Sequence, residues 1–325
     1  MTGRWIPGMA PGSPWRSRTL QFLANDGFIV FFLGWVLFLS VATDNFLTQA
    51  NLLILLRQAS IFAIVAIGST LVLIIGELDI SFGSVLGFAG VIATGAILGG
   101  TNPVAGFGLA LLVGALIGLL NGLLVTRVGI PSVVATLGTL GIFAGLALLY
   151  TGGQSLFGDE LQAIFPISQA RVLEVPVIVL ATFGAYLIAW VITRRTRFGA
   201  HLYAVGDNEA AAYRAGINVL RIKLIVFTTA GALAGLAGLL QTSRLGRASA
   251  MMGDDALFPV LTAVILGGAS IAGGRGKIEN TLIAAVFLAS ITNGLILMGV
   301  SSTVQRVVEG VVLIIAVSLD RLRDR

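Results

Sequence analysis

The sequence predicts an all-α polytopic membrane protein of about ten transmembrane helices, and three observations carry that prediction. Hydrophobic residues make up 57% of the 325-residue chain and charged residues 11%, against roughly 25% charged in soluble domains. The mean hydropathy is +0.99. The apolar residues fall in runs of about 20, the length that crosses a hydrocarbon core of about 30 Å. These runs are continuous rather than alternating, which selects helices over a barrel, since both satisfy the backbone in lipid but only helices tolerate side chains that are apolar all round.

In chain order, the runs lie near 27–42, 52–75, 83–100, 103–126, 132–150, 175–193, 223–241, 256–272, 280–298 and 304–319. Residues 1–26 read as a cytoplasmic N-terminal segment, 27–319 as a single transmembrane domain and 320–325 as a cytoplasmic tail. The first run follows basic residues as a signal peptide would. No small-x-small cleavage site follows it before Asp44, so it reads as a retained span. The second and third runs are joined with almost no loop by Gly76-Glu-Leu-Asp-Ile-Ser-Phe-Gly-Ser84. Two carboxylates facing lipid at membrane depth would cost about 2.5–3.5 kcal/mol each, so Glu77 and Asp79 must face water, another helix or the cytoplasmic surface. Two readings stay open: a polar turn in which Ser81 or Asp79 caps the third span, or a broken helix that presents polar groups to a transported solute. Between the eighth and ninth runs, Gly267-Gly-Ala-Ser-Ile-Ala-Gly-Gly-Arg-Gly-Lys277 lacks the Gly-Lys-Ser/Thr of a phosphate loop. It reads as a tight cytoplasmic turn anchored by Arg275 and Lys277.

Placing the N-terminus inside puts fifteen Lys and Arg residues on the cytoplasmic side and three, Arg171, Arg244 and Arg247, in outer loops, as the positive-inside rule requires. Arg57 and Arg306 lie inside runs near their outer ends, where long stems snorkel. The net charge of +5 therefore reads as topology and attraction to membrane lipid, not nucleic-acid binding. The chain has no cysteine and one histidine, which excludes disulfides, thiolate chemistry and His-rich metal sites; His201 reads as a solvated or interface residue. Glycines recur four apart at Gly83/Gly87, Gly114/Gly118/Gly122, Gly141/Gly145 and Gly231/Gly235, a spacing that lets helix backbones approach closely.

The longest polar interruption, 194–222, is basic. Asn208 is placed to cap a helix, Ala210 to Ala212 are strong helix formers and Gly216 can close it in the left-handed conformation. About two turns of helix are predicted, from Glu209 to Ala215, too short to stand alone in water. Residues Gly206, Asp207, Asn208, Glu209, Ala210, Ala211, Arg214 and Gly216 form a candidate docking surface. Its small side chains permit close approach, and Asp207, Glu209 and Arg214 can set register. Without a partner the same stretch reads as a solvated loop.

These motifs, in order, resemble the membrane-spanning subunits of bacterial ABC importers for ribose and related monosaccharides. The likeness runs from about Asn51 to Arg321. Gly76 to Ser84 is similar to the family's Gly-Gly-Ile-Asp-Leu-Ser-Val-Gly-Ser, and Pro131-Ser-Val-Val-Ala-Thr-Leu-Gly-Thr139 to its Pro-x-Phe-Ile-x-Thr-Leu-Gly-x. Arg197 to Ala211, ending in Ala215-Gly-Ile-Asn218, resembles the segment that engages the ATPase. Leu266 to Gly276 and Asn293-Gly-Leu295 complete the set. The resemblance implies alternating access, driven by a separate ABC ATPase subunit that uses ATP and Mg. It implies as well a second permease copy or paralogue, a periplasmic sugar-binding protein and a place in the bacterial inner membrane. It implies no cofactor in this chain and no catalytic residue. A path for a sugar or polyol needs hydroxyl partners with few fixed charges; Gln58, Asp79, Ser81, Asn121, Thr136, Thr139, Thr292 and Asn293 are the candidates, each readable equally as an interhelical hydrogen bond. The chain departs from the family at Glu77 (often Gly), Phe82 (often Val), Ala144 (often Arg), Ile296 (often Asn), and at Asn280 and Ala284 (usually Gly). Some of its variants look like permeases for the autoinducer-2 sugar. The competing class is a self-contained secondary transporter or channel, which rests on Glu77 and Asp79. An intramembrane enzyme has no His-Glu-x-x-His or Gly-x-Ser-x-Gly to support it.

Overall fold

A computed structural model describes residues 27–323; the N-terminal segment read at 1–26 lies outside the described residues. The helices are α1 (Gly27–Ala42), α2 (Gln49–Ile74), α3 (Phe82–Leu98), α4 (Pro103–Leu123), α5 (Ser132–Thr151), α6 (Phe165–Gln169), α7 (Val177–Arg195), α8 (Arg197–Asp207), α9 (Glu209–Arg214), α10 (Val219–Leu245), α11 (Leu257–Leu266), α12 (Ile278–Leu297) and α13 (Ser302–Arg323). Six segments, Gln49–Ile74, Pro103–Val128, Ser132–Thr151, Val177–Arg195, Val219–Leu245 and Ile278–Leu297, are long and apolar enough to cross a membrane. The chain is thus a helix-rich multi-pass membrane protein. α13 continues to Arg323, into the stretch expected as a tail.

α10 is the axis of the bundle, packed against α4, α3 and α2. Its glycines make that closeness possible. Gly231 and Gly235 lie against Gly114 and Gly118 of α4 with backbone on backbone, Gly238 meets Leu86 and Gly90 of α3, and Ala230 lies against Gly68 of α2. Without a hydrophobic drive in lipid, such contacts supply the packing. The expected pair Gly141/Gly145 does not join this pattern: a side chain built at either would meet nothing within 4 Å, because that face of α5 is turned away from the bundle, with Ile142 and Leu149 exposed beside it.

Two elements depart from straight spans. α3 has 17 residues, a rise of about 25 Å, and is preceded by the unwound stretch 75–81. The eighth run, expected as one helix over 256–272, is helical for only the 10 residues of α11, about 15 Å. The reason lies on either side of it. Before α11, the chain 246–256 folds inward so that Ala250, Met252 and Gly253 press on Gly87, Gly90 and Gly83 of α3; after it, Gly268, Gly273 and Gly274 take φ of +90°, +87° and +73°, which a helix cannot continue through. Non-helical backbone at this depth is tolerated where protein or a cavity surrounds it.

The connection between α5 and α7, expected only as an outer loop carrying Arg171, folds into a 3-10 turn (Asp159–Ala163), α6 and a two-residue-per-strand hairpin, β1 (Arg171–Val172) and β2 (Val175–Pro176).

Candidate solute path and coupling surface

The unwound stretch 75–81 leaves backbone amides without helical partners, and α5 meets them. The Leu78 N–H donates to Ser132 Oγ at 3.1 Å and the Ile80 N–H to Thr136 Oγ1 at 3.3 Å, while the Ser81 N–H donates to Asp79 Oδ1 at 2.7 Å. A relay of side-chain donors then runs toward that carboxylate. Thr139 Oγ1 donates to Asn121 Oδ1 at 2.8 Å, Asn121 Nδ2 to Ser81 Oγ at 2.8 Å, and Ser81 Oγ to Asp79 Oδ1 at 2.6 Å. Each member thereby satisfies the next, the condition under which a buried polar network stabilises. Five of the sequence candidates, Asp79, Ser81, Asn121, Thr136 and Thr139, thus come together, and all are buried. Neither sequence reading of this stretch is complete. Ser81 stands at the N-cap of α3 without a capping side-chain bond, its hydroxyl being committed to Asp79.

The other three candidates lie elsewhere. Asn293 and Asn51 exchange amide hydrogen bonds at 2.8 and 2.9 Å, and Asn51 Nδ2 also donates to Phe46 O at 2.9 Å; this is a clasp between α12 and α2. Thr292 Oγ1 donates to Glu309 Oε1 of α13 at 3.2 Å. Gln58, half-buried on α2, makes no hydrogen bond to the relay.

Beside the relay lies a cavity of about 280 Å³. Ile80, Gly83 and Ser84 form one wall, Leu140 and Ala144 of α5 a second, Gly253 to Asp255, Leu257 and Phe258 a third, and Arg306 and Glu309 of α13 the fourth. Both irregular backbone stretches therefore open on the same space. Arg306 Nη2 donates to Asp255 Oδ1 at 3.2 Å across its rim, where both side chains are exposed. The lining combines carboxylates, a guanidinium and a serine hydroxyl, which hydrogen-bond hydroxyls, with the apolar ring of Phe258 in a concave site. Sequence reasoning missed Glu309, Asp254, Asp255, Phe258 and Ser84. Glu309 had a signal, as the one acidic residue inside the last apolar run, where an ionisable group marks function by default. Among the described residues no cluster is suited to hold a metal ion.

The region 194–222 holds two helices rather than one. α8, which sequence reasoning left unassigned, is amphipathic: Leu202 and Val205 are buried while His201 faces solvent. The spacing Phe198, Leu202, Val205 was its signal. Thr196 caps it, accepting from the Gly199 N–H at 3.3 Å. Asn208 then caps α9, its Oδ1 accepting from the Ala211 N–H at 2.9 Å, and Gly216 follows at φ +82°, as expected. α9 buries Ala212 and exposes Glu209, Ala210, Ala211, Tyr213 and Arg214. Against the bundle, Gly206 lies on the Ile74 carbonyl and 2.6 Å, measured from a Cβ built on it, from the Gly274 amide, while a Cβ on Gly273 would come 2.7 Å from Gly206 O and 2.8 Å from Gly76 Cα. The Gly274 N–H donates to Ile74 O at 2.9 Å. The glycine-rich turn is therefore more than an anchored turn: it is one side of a backbone junction joining α8, the end of α2 and the 267–277 segment. Tyr203 Oη donates to Gly276 O at 2.8 Å and Arg194 pairs with Glu279 at 2.8 Å beside it. Burial raises the Tyr203 phenol above its ordinary pKa, with Arg194 opposing and Glu279 reinforcing, so it stays a donor.

The comparisons with known proteins agree with this architecture. Residues 51–317 match the family described as branched-chain amino acid transport system / permease component. The chain is 40% identical over 290 residues to the ribose import permease protein RbsC of Bacillus subtilis, covering 89% of this chain and 90% of that one. It is 34% identical over 287 residues to the D-allose transport system permease protein AlsC of Escherichia coli, covering 88% of each. It is also 33% identical over 288 residues to the autoinducer 2 import system permease protein LsrC of Photorhabdus luminescens, covering 88% of this chain and 86% of the other. No solved structure matches the chain.

Proposed function

This chain belongs to the family of transport-system permease components, and from that premise we propose that it is the transmembrane subunit of an ATP-driven importer for a monosaccharide or related polyol in the bacterial inner membrane. The family description names branched-chain amino acids, but relatives similar over most of their length carry ribose and D-allose in their names, and one carries autoinducer 2. A cavity lined by Ser84, Asp254, Arg306 and Glu309 suits a polyhydroxylated ring better than an aliphatic side chain. The chain crosses the membrane ten times with both termini inside. α3 completes its crossing with the extended residues before it, and α11 with the inward fold of 246–256. It works as a pair with a second permease copy or paralogue, is fed by a periplasmic sugar-binding protein, and leaves ATP and Mg chemistry to a separate ATPase.

The observation that carries this reading is the glycine junction. α8 lies backbone to backbone, through Gly206, on the end of α2 that leads into Asp79, and it runs directly into α9, whose exposed face is capped and alanine-rich. An ATPase that moves α9 has a rigid route to the solute path. Small exposed residues Ala210 and Ala211 allow close docking, while Asp207, Glu209 and Arg214 set register. The self-contained transporter reading loses support, because Glu77 is paired with Lys223 at 2.7 Å and Asp79 Oδ1 accepts from both the Ser81 N–H and the Ser81 hydroxyl. Reconstitution tests the proposal. Solute uptake should require the ATPase, ATP and the binding protein, and reversing the charge of Arg214 should weaken ATPase association while leaving membrane insertion intact. Uptake by the purified chain alone, driven by a proton or sodium gradient, would overturn it.

A further inference from the structure

We infer that Lys223 is the strut through which movement of α9 reaches the segment carrying Asp79; the inference deepens the coupling reading above and rests on it. The Lys223 ammonium lies 2.7 Å from Glu77 Oε1 and 2.8 Å from Glu209 Oε2. Those three residues belong to three different mechanical parts. Glu209 is the first residue of α9 and more than half exposed at its outer side. Glu77 lies in the unwound stretch, two residues before Asp79. Lys223 stands in the second turn of α10, the bundle axis, and is 8% exposed.

The arrangement differs in kind from the glycine junction beside it. Gly206, Gly76, Gly273 and Gly274 touch backbone to backbone and admit one geometry. A lysine between two carboxylates admits a range, because its flexible stem carries a point charge with three donors that can follow either partner. Displacing α9 therefore has two consequences that cannot both be avoided. Either Lys223 keeps Glu209 and draws away from Glu77, or it keeps Glu77 and releases Glu209. The Lys223 and Glu77 side chains are 10% and 14% exposed, so salt screens their attraction little. Losing the lysine leaves two carboxylates facing each other across the gap it filled. Either outcome changes the force on Glu77, and Glu77 is covalently continuous with Asp79, whose carboxylate terminates the Thr139–Asn121–Ser81 relay. Lys223 is a positioning residue in this scheme: it touches neither nucleotide nor solute.

The test uses the assembled complex of permease, ATPase and binding protein in proteoliposomes, and reads solute imported per ATP hydrolysed alongside complex assembly. Lys223→Met should assemble and hydrolyse ATP yet lower that ratio about tenfold or more, the equivalent of one charge-assisted hydrogen bond. Lys223→Arg, whose donors still reach carboxylates, should recover most of it. Glu77→Gln should lower the ratio as well, and Lys223→Met with Glu77→Gln should be no worse than Lys223→Met alone. An unchanged ratio in Lys223→Met, or a loss that follows the fraction of complex assembled, overturns the inference. Should Lys223→Met fail to fold, Glu77→Gln and Glu209→Gln decide the matter: each removes one arm while the lysine keeps the other, and an unchanged ratio in both overturns it. A wild-type chain that neither binds nor responds to the ATPase refutes the coupling reading itself, a distinguishable result.

Discussion

The Asn51–Asn293 clasp gives a prediction whose size follows from its geometry. Each amide gives one hydrogen bond to the other, and Asn51 Nδ2 gives a further one to Phe46 O. Asn293→Ala leaves Asn51 Oδ1 bare but its amino group still bonded to Phe46. Asn51→Ala removes the Phe46 bond too and leaves both ends of Asn293 without those partners. Orphaning a buried polar group costs about 1–3 kcal/mol, so Asn51→Ala should sit at the upper end and Asn293→Ala at the lower. The double variant should cost less than the sum, with a coupling energy of about 0.6 kcal/mol and at most about 1.7, the span found for interhelical hydrogen bonds in membranes. Reversible unfolding of the purified protein in mixed micelles with rising detergent denaturant measures all three. Strictly additive single variants would refute the clasp. So would an Asn293→Ala protein of unchanged stability whose solute affinity falls, since that is the behaviour of a ligand.

Three further outcomes follow from the packing of the same helices. Gly114→Ala drives a methyl group into the Gly231 carbonyl and should destabilise by about 1–3 kcal/mol, whereas Gly141→Ala, with open space at its Cα, should be neutral or slightly stabilising; paired thermal melts in detergent read the difference. Ala144→Trp places a large ring in the 280 Å³ cavity, and should abolish solute import with ATPase assembly intact, as measured by uptake and co-purification. Glu309→Gln keeps an oxygen for the Thr292 hydroxyl but removes the charge. It should weaken solute transport about tenfold, the scale of a charge-assisted hydrogen bond, in a transport titration, and unchanged transport would remove Glu309 from the path.

What was legible in the sequence was set by local rules, and what was not depended on distant backbone. Asn208 and Gly216 announced α9 because a cap and a left-handed closure are properties of a few neighbouring residues. The same logic placed the six runs that are long and apolar enough to cross a membrane, and the four-residue glycine spacing of α4 and α10 correctly marked a close crossing. It marked Gly141 and Gly145 just as strongly, although nothing lies against them, since spacing records a permissive face and not whether a neighbour occupies it. The eighth run read as one helix because hydropathy is blind to the inward fold of 246–256, whose depth is fixed by Gly83, Gly87 and Gly90, more than 160 residues earlier by the separation of Gly83 and Gly253. The candidate path suffered in the same way. Polar residues in apolar runs were singled out, but polarity cannot distinguish a hydroxyl that serves an unwound backbone, as Thr136 serves Ile80, from one left free for a solute. The four residues of the relay and Thr136 beside it are buried, while Glu309 and Phe258 line the open space. On the proposed reading the relay holds the shape of the path and the cavity wall meets the solute, so variants of Thr139 or Asn121 should change stability first and selectivity only through Asp79.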